Sequence, residues 1–243
     1  MNSIKLKLLL LLLVPTSLIH GQWSNSNMEE FETEIMKIEA RIPTETSFSY
    51  TANYYFFEYE NSTDTTQHIV SSLIYNAKSN TINFNQLQNF VVQTDEVQVA
   101  CDSAGNRLII NQPNTSFLAR KNRENFNKFY DKNCTVKKRI SGTYTIFHLD
   151  FEKDFKWKSA EIWIEKKGMV KKYIVWTAQP YLDDSGENNK MIQPRMEVIY
   201  SDYKIGAAAD KLPIILLDTF FVDIKKQIVQ DAFKNYEVID LRN

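Results

Sequence analysis

Glycine is scarce in this chain, six in 243 residues, and the six are scattered. No run of them can wrap a phosphate, which excludes the Gly-rich nucleotide-binding loops. Histidine is scarcer: beyond residue 21 only His68 and His148 remain, and neither has a G-x-S-x-G elbow nearby. There are two cysteines, Cys101 and Cys134, without a histidine or second cysteine beside either, so the ligand spacings of zinc sites are absent. The polar loop "DDSGENN", 183–189, lacks the alternating oxygens of an EF-hand. The basic stretches Lys121–Arg123 and Lys137–Arg139 are brief and stand among acids, so nothing supplies the field that grips nucleic acid. Catalytic residues, metal and cofactor are all expected to be none, and the chain reads as a non-enzyme.

What is present begins with an address. Lys5 and Lys7, the apolar run from Leu8 to Val14, and Gly21 compose a secretory signal peptide over residues 1–21. Its apolar run is far short of the roughly 20 residues that span a bilayer. A cut after Gly21 leaves residues 22–243 as one domain without a transmembrane segment. The 27 Lys and Arg then stand against 30 Asp and Glu, a net charge of −3. In an oxidising compartment Cys101 and Cys134 are expected to pair, closing a loop worth about 3–4 kcal/mol. The alternative is two separate buried thiols.

Met28, Phe31, Ile35, Ile38 and Ile42 recur at helical spacing, Asn27 and Glu30 form a capping-box start, and Pro43 ends the helix near Arg41. From there the pattern is β. Strands are expected at His68–Ala77, Thr81–Val92, Glu96–Cys101, Arg107–Asn111, Ile140–Asp150, Trp157–Glu165, Val170–Ala178 and Arg195–Tyr203. A short helix is expected around Phe117–Tyr130, and the tail reads as a helical stretch and a final strand, Tyr236–Leu241. Before all of these comes "SFSYTANYYFF", 47–57, whose Phe48, Tyr50, Ala52, Tyr54 and Phe56 alternate on one face.

The stretches "SFSYTANYYFF", "WKSAEIWIEKKG" followed by "GMVKKYIVWTAQP", and "QPRMEVIYSDY" resemble the LolA-like proteins, relatives of the periplasmic outer-membrane lipoprotein carrier, in the form exported by Bacteroidetes. The resemblance implies mainly antiparallel β with helices (α+β): a strongly curved sheet making an incomplete β-barrel, plugged by the N-terminal helix and one or two short helices. It implies a non-catalytic protein of the Gram-negative periplasm, with lipid or lipoprotein acyl chains, or an envelope protein, as partner. Phe48, Tyr50, Tyr54, Phe56, Ile162, Ile174, Trp176 and Val198 would line its cavity. Read from the residues alone, these rings either fill a core or hold an acyl chain, and both readings stand.

Overall fold

Asn27 caps the first helix as its position predicts: its side-chain oxygen accepts the backbone N–H of Glu30 at 2.8 Å, and α1 runs Met28–Arg41. Glu30 departs from the capping box. Its carboxylate accepts from Lys138 Nζ at 2.6 Å and Ser26 Oγ at 2.5 Å, and those two bonds hold its pKa below the usual range. The apolar stripe of α1 packs on a sheet, with Phe31 fully buried and its ring 5.3 Å from that of Phe147. Met28, Ile35 and Ile38 join it against Val136, Leu149, Ile162 and Ile164.

The protein is seen here as a computed structural model that describes residues 22–41, 46–114, 134–152, 157–178, 181–183, 190–192 and 194–242. Among these, thirteen strands make one curved sheet that does not close into a barrel. In chain order they are β1 (Ser24–Ser26), β2 (Phe48–Phe57), β3 (Gln67–Asn76), β4 (Thr81–Gln86), β5 (Asn89–Gln93), β6 (Gln98–Asp102), β7 (Arg107–Asn111), β8 (Cys134–Ser141), β9 (Tyr144–Phe151), β10 (Trp157–Glu165) and β11 (Val170–Thr177). After the small separate hairpin β12 (Tyr181–Asp183) and β13 (Lys190–Ile192) come β14 (Arg195–Ile205) and, last, β17 (Glu237–Asp240). The spatial order is β1-β8-β9-β10-β11-β14-β2-β3-β4-β5-β6-β7-β17. Every pairing is antiparallel except β17 on β7, which is parallel. Both edge strands are short, which limits the bare backbone offered to another chain.

Residues directly opposite in an antiparallel pair share a face, so the register assigns each side chain. The face that carries α1 holds Phe147, Ile162, Tyr173, Val198 and Tyr54 in one row across β9, β10, β11, β14 and β2. The other face is covered at the far end of the sheet by the C-terminal tail. There Val92, Val99, Cys101, Leu108 and Ile110 pack beneath Phe220 and Phe221. Asn83 ties the tail down, donating to the Ile215 carbonyl at 2.8 Å and accepting its N–H at 2.6 Å.

Several expectations are corrected. Thr81–Val92 is two strands, turned at Leu87, whose φ of 55° needs no glycine. Ile140–Asp150 is the end of β8 and all but the last residue of β9, turned at Gly142 with φ 59°. The tail has one short helix, α2 (Ala207–Asp210), and two 3₁₀ turns, Leu217–Thr219 and Asp231–Phe233. Between those turns lies the hairpin β15 (Phe221–Asp223) and β16 (Ile228–Val229), where a helical stretch was expected. No disulfide joins Cys101 and Cys134. Cys101 on β6 packs under the tail on one face, Cys134 on β8 packs with the α1 cluster on the other. Burial pushes the Cys101 thiol up, against a weaker pull from Ser103. The helix expected around Phe117–Tyr130 lies outside the described residues.

Candidate functional site

The α1 face turns aromatic in the middle of the sheet, and a bulge makes it so. Tyr200 and Tyr203 are three residues apart, and in a regular strand they would point to opposite faces. Between Ser201 and Lys204 the β14–β2 register shifts, and Asp202 takes φ 55°. The extra residue brings Tyr203 back to the side of Tyr200, which is how bulges re-aim side chains. The ring of Tyr50 lies 5.5 Å from Tyr200 and 6.0 Å from Tyr203. Phe48 contacts Tyr50 at 6.4 Å and Tyr75 at 5.6 Å. Ala52 and Val198, directly opposite Tyr200 and Tyr54, form a buried floor among these rings.

The phenols are neutral. Burial pushes the Tyr173 hydroxyl up to about 12 and the Tyr200 and Tyr203 hydroxyls higher, with neighbouring tyrosines adding to the last two. Tyr203 donates to the Val170 carbonyl at 2.7 Å. Tyr173 and Tyr200 have no such bond among the described residues. The surface is apolar ring area dotted with uncharged O–H donors, adjoining the α1 cluster through Tyr173.

Of the residues expected to line a cavity, Phe48, Tyr50, Tyr54, Phe56, Ile162 and Val198 share this face. Ile174 and Trp176 do not: the alternation of β11 turns them to the opposite face and presents Tyr173 and Val175 instead. Both sides of β11 are partly apolar, so composition alone did not mark the inner one. Tyr173, Tyr200 and Tyr203 were missed, the last because no glycine flags the bulge.

The opposite face carries charge and indoles in three rows. One holds Arg139, Ile146, Trp163 and Lys172, the next Lys137, His148, Glu161, Ile174 and Glu197, the third Thr135, Asp150, Ser159, Trp176 and Arg195. His148 sits between two carboxylates, Nε2 2.9 Å from Asp150 Oδ1 and Nδ1 3.3 Å from Glu161 Oε1. Glu161 also accepts from Trp163 Nε1 at 3.0 Å. Trp23 and Trp176 pack on the His148 ring at 5.5 and 6.0 Å. His68 stacks flat on Tyr55 at 4.5 Å and meets Asn53. Among the described residues no group of three His, Cys, Asp or Glu is placed to hold a metal ion.

This triad predicts a pH dependence. Burial pulls His148 down, but its bonds to Glu161 and Asp150 outweigh that and hold the imidazole above its usual 6.5. Burial likewise opposes ionisation of Glu161 and Asp150. Bonds from His148 and Trp163 on one, and from Lys137 and His148 on the other, leave both below their usual 4.5 and 3.8. The histidine contribution is complete below about pH 6.5 and is lost as pH rises through the raised value. The carboxylate contribution is present above pH 4.5 and is lost on acidification. Thermal melts should therefore show wild-type stability falling as pH rises above about 6.5, with His148→Gln flattening that limb. An unchanged slope in the variant would show that the triad does not govern it.

No protein-family model and no curated protein matches the chain. Among solved structures it is similar to an uncharacterized conserved protein of Thermus thermophilus, at 13% identity and TM-score 0.41, covering 86% of this chain and 99% of that one. It is similar to the MucA/MucB complex of Pseudomonas aeruginosa, at 13% identity and TM-score 0.39. That likeness covers 74% of this chain and 57% of that one. It is also similar to a LolA superfamily protein of Nitrosomonas europaea, at 10% identity and TM-score 0.30, covering 83% and 98%. LolA-like structures thus stand among the fold's neighbours, and they carry nothing about a site or a ligand.

Proposed function

We propose that this is a non-catalytic carrier or binding protein, exported to the periplasm after removal of residues 1–21, that holds an acyl chain of a lipid or lipidated segment on its tyrosine face. The observation that carries this reading is the Asp202 bulge, which gathers Tyr200 and Tyr203 with Tyr50 over an Ala52 and Val198 floor. A core needs apolar volume only, and a polar tip on each ring is a burden there. Here the Tyr203 tip is spent on the Val170 carbonyl. Those of Tyr173 and Tyr200 are neutral donors, suited to an ester or amide carbonyl while the rings bury the chain at roughly 25 cal/mol per Å². Helix α1, on the same face, would act as the plug that shifts to admit it.

Native mass spectrometry of the mature protein, taken gently from its own periplasm, should find an adduct of lipid mass. A fluorescent fatty acid should bind, and Tyr50→Ala with Tyr200→Ala should weaken it at least tenfold. A bare mass together with no probe binding would sink the reading. A second reading is an interaction module for an envelope partner, favoured by the half-buried Trp23, Trp163 and Trp176 of the charged face. Recovery of one stoichiometric envelope protein in a pull-down would support it; a clean monomer with bound lipid would count against it.

A further inference from the structure

Arg139 is the odd cation of the charged face. Its guanidinium carbon lies 4.4 Å from the centre of the Trp23 ring and 5.9 Å from that of Trp163. Its Nε is buried and has no hydrogen-bond partner. Among the described residues it has no ion pair within 4 Å either. Its charge helps hold the Glu161 carboxyl below the usual range, but the carboxylates around it make their direct contacts with other groups. Glu161 is held by His148 and Trp163, Asp150 by Lys137 and His148, and Glu197 by Lys172 and Arg195. The neighbouring cations Lys137, Lys172 and Arg195 are all paired. A guanidinium carries five donors and stays charged at any pH the protein meets. Leaving its Nε–H buried and unused is costly, and each such group calls for an explanation.

We propose that Arg139, bordered by Trp23 and Trp163, is a receptor for an oxyanion, the carboxylate or phosphate group of a ligand. The guanidinium fork matches two oxygens of either group. The indoles keep its planar body in place by cation–π contact and exclude water from one side, which strengthens the charge-assisted bonds. Lys172, 5.6 Å from the centre of the Trp163 ring, is already neutralised by Glu197, so Arg139 alone supplies the charge of the site. Trp23 comes from the segment leading into β1 and Trp163 from β10, so the site joins the chain's N-terminal edge to the sheet. The register puts it on the side opposite the tyrosine face, so it stands whether or not an acyl chain binds there.

Because two tryptophans border the cation, the site reports on itself. Inorganic phosphate and acetate, each titrated into the mature protein at ionic strength held constant with sodium chloride, should change the tryptophan fluorescence saturably. Arg139→Gln should raise the half-saturation concentration at least tenfold, and Arg139→Lys should fall between, since an ammonium cannot offer the fork. A response to phosphate alone assigns a phosphate ligand, to acetate alone a carboxylate, and to both an oxyanion site without preference; each supports the site. A response identical in Arg139→Gln, or one that chloride reproduces, overturns it. Should the glutamine variant fail to fold, the wild-type protein still decides: the Nε–H resonance of Arg139 in ¹⁵N-arginine-labelled protein must move with phosphate or acetate and stay still with chloride.

Discussion

Phe31→Ala should lower the unfolding free energy by about 3–5 kcal/mol, the usual cost of emptying a fully buried phenylalanine site. Phe31 is completely buried, and its ring stands edge-on to Phe147 at 5.3 Å with an interplanar angle of 61°. It is the point where α1 meets β8, β9 and β10 at once, because Val136, Phe147, Leu149, Ile162 and Ile164 surround it. The site has little room to collapse: those neighbours are held in the ladder, and only the helix can move. The remaining α1 contacts, from Met28, Ile35 and Ile38, are partly exposed. A helix of 14 residues has little stability of its own in water, so packing decides whether it stays. For a chain of this length the melting temperature should fall by roughly 6–20 °C. Urea unfolding is the measurement, with Met36→Ala as the control. Met36 lies on the outer side of the same helix, 40% exposed, and its loss should cost no more than about 0.5 kcal/mol. If the two variants unfold alike, the packing of α1 on the sheet is wrong.

The same stripe shows what a single sequence reveals. Phe31, Ile35 and Ile38 announced both the helix and its buried side, because a helix face is defined within one segment. Strands β10, β11 and β14 were likewise legible within a residue or two, each having strong alternation and a turn at its end. The missed features share a cause, which is that neighbouring strands define them. Leu87 turns the chain in a left-handed conformation without a glycine or proline to mark it, so β4 and β5 read as one strand. Phe220, Phe221, Ile224 and Ile228 have spacings that suit a helix, yet the chain folds this stretch as a hairpin, and it is Phe220, Phe221, Ile224 and Val229 that pack over β5, β6 and β7. The tyrosine face depends on Asp202, whose effect appears only when Tyr50 is seen across from it. The pairing of Cys101 with Cys134 failed for the same reason: the cysteines sit on opposite faces, which no spacing discloses.

Arg195→Met should cost about 2–4 kcal/mol, the second largest effect anticipated. Arg195 opens β14, and its fork donates from Nη1 to the Glu60 carbonyl at 2.5 Å and from Nη2 to the Ser62 carbonyl at 3.1 Å. It also pairs with Glu197 at 3.1 Å and lies 4.1 Å from the centre of the Phe57 ring. Both members of the ion pair are largely buried. Hydrogen bonds to a charged donor contribute roughly 1.5–3 kcal/mol each, but the loop carbonyls can regain water, so the sum is discounted. Methionine keeps the stem against Phe57 and removes only the fork. Glu197 keeps Lys172, so no carboxylate is left alone, and the larger penalty of a broken buried pair does not arise. Lysine at this position should recover less than half of the loss, since one ammonium cannot reach both carbonyls and Glu197 together. The connection from β2 to β3 is what the fork holds, and Lys158 to Glu60 is its other tether. Hydrogen exchange should therefore speed up at the Thr66 amide, which bonds to the Phe56 carbonyl at 2.8 Å, more than at amides of β9. A variant within about 0.5 kcal/mol of wild type, with exchange at Thr66 unchanged, would mean that the loop holds itself. That end of the aromatic strand would then be held by its backbone pairing with β14 and not by the Arg195 fork.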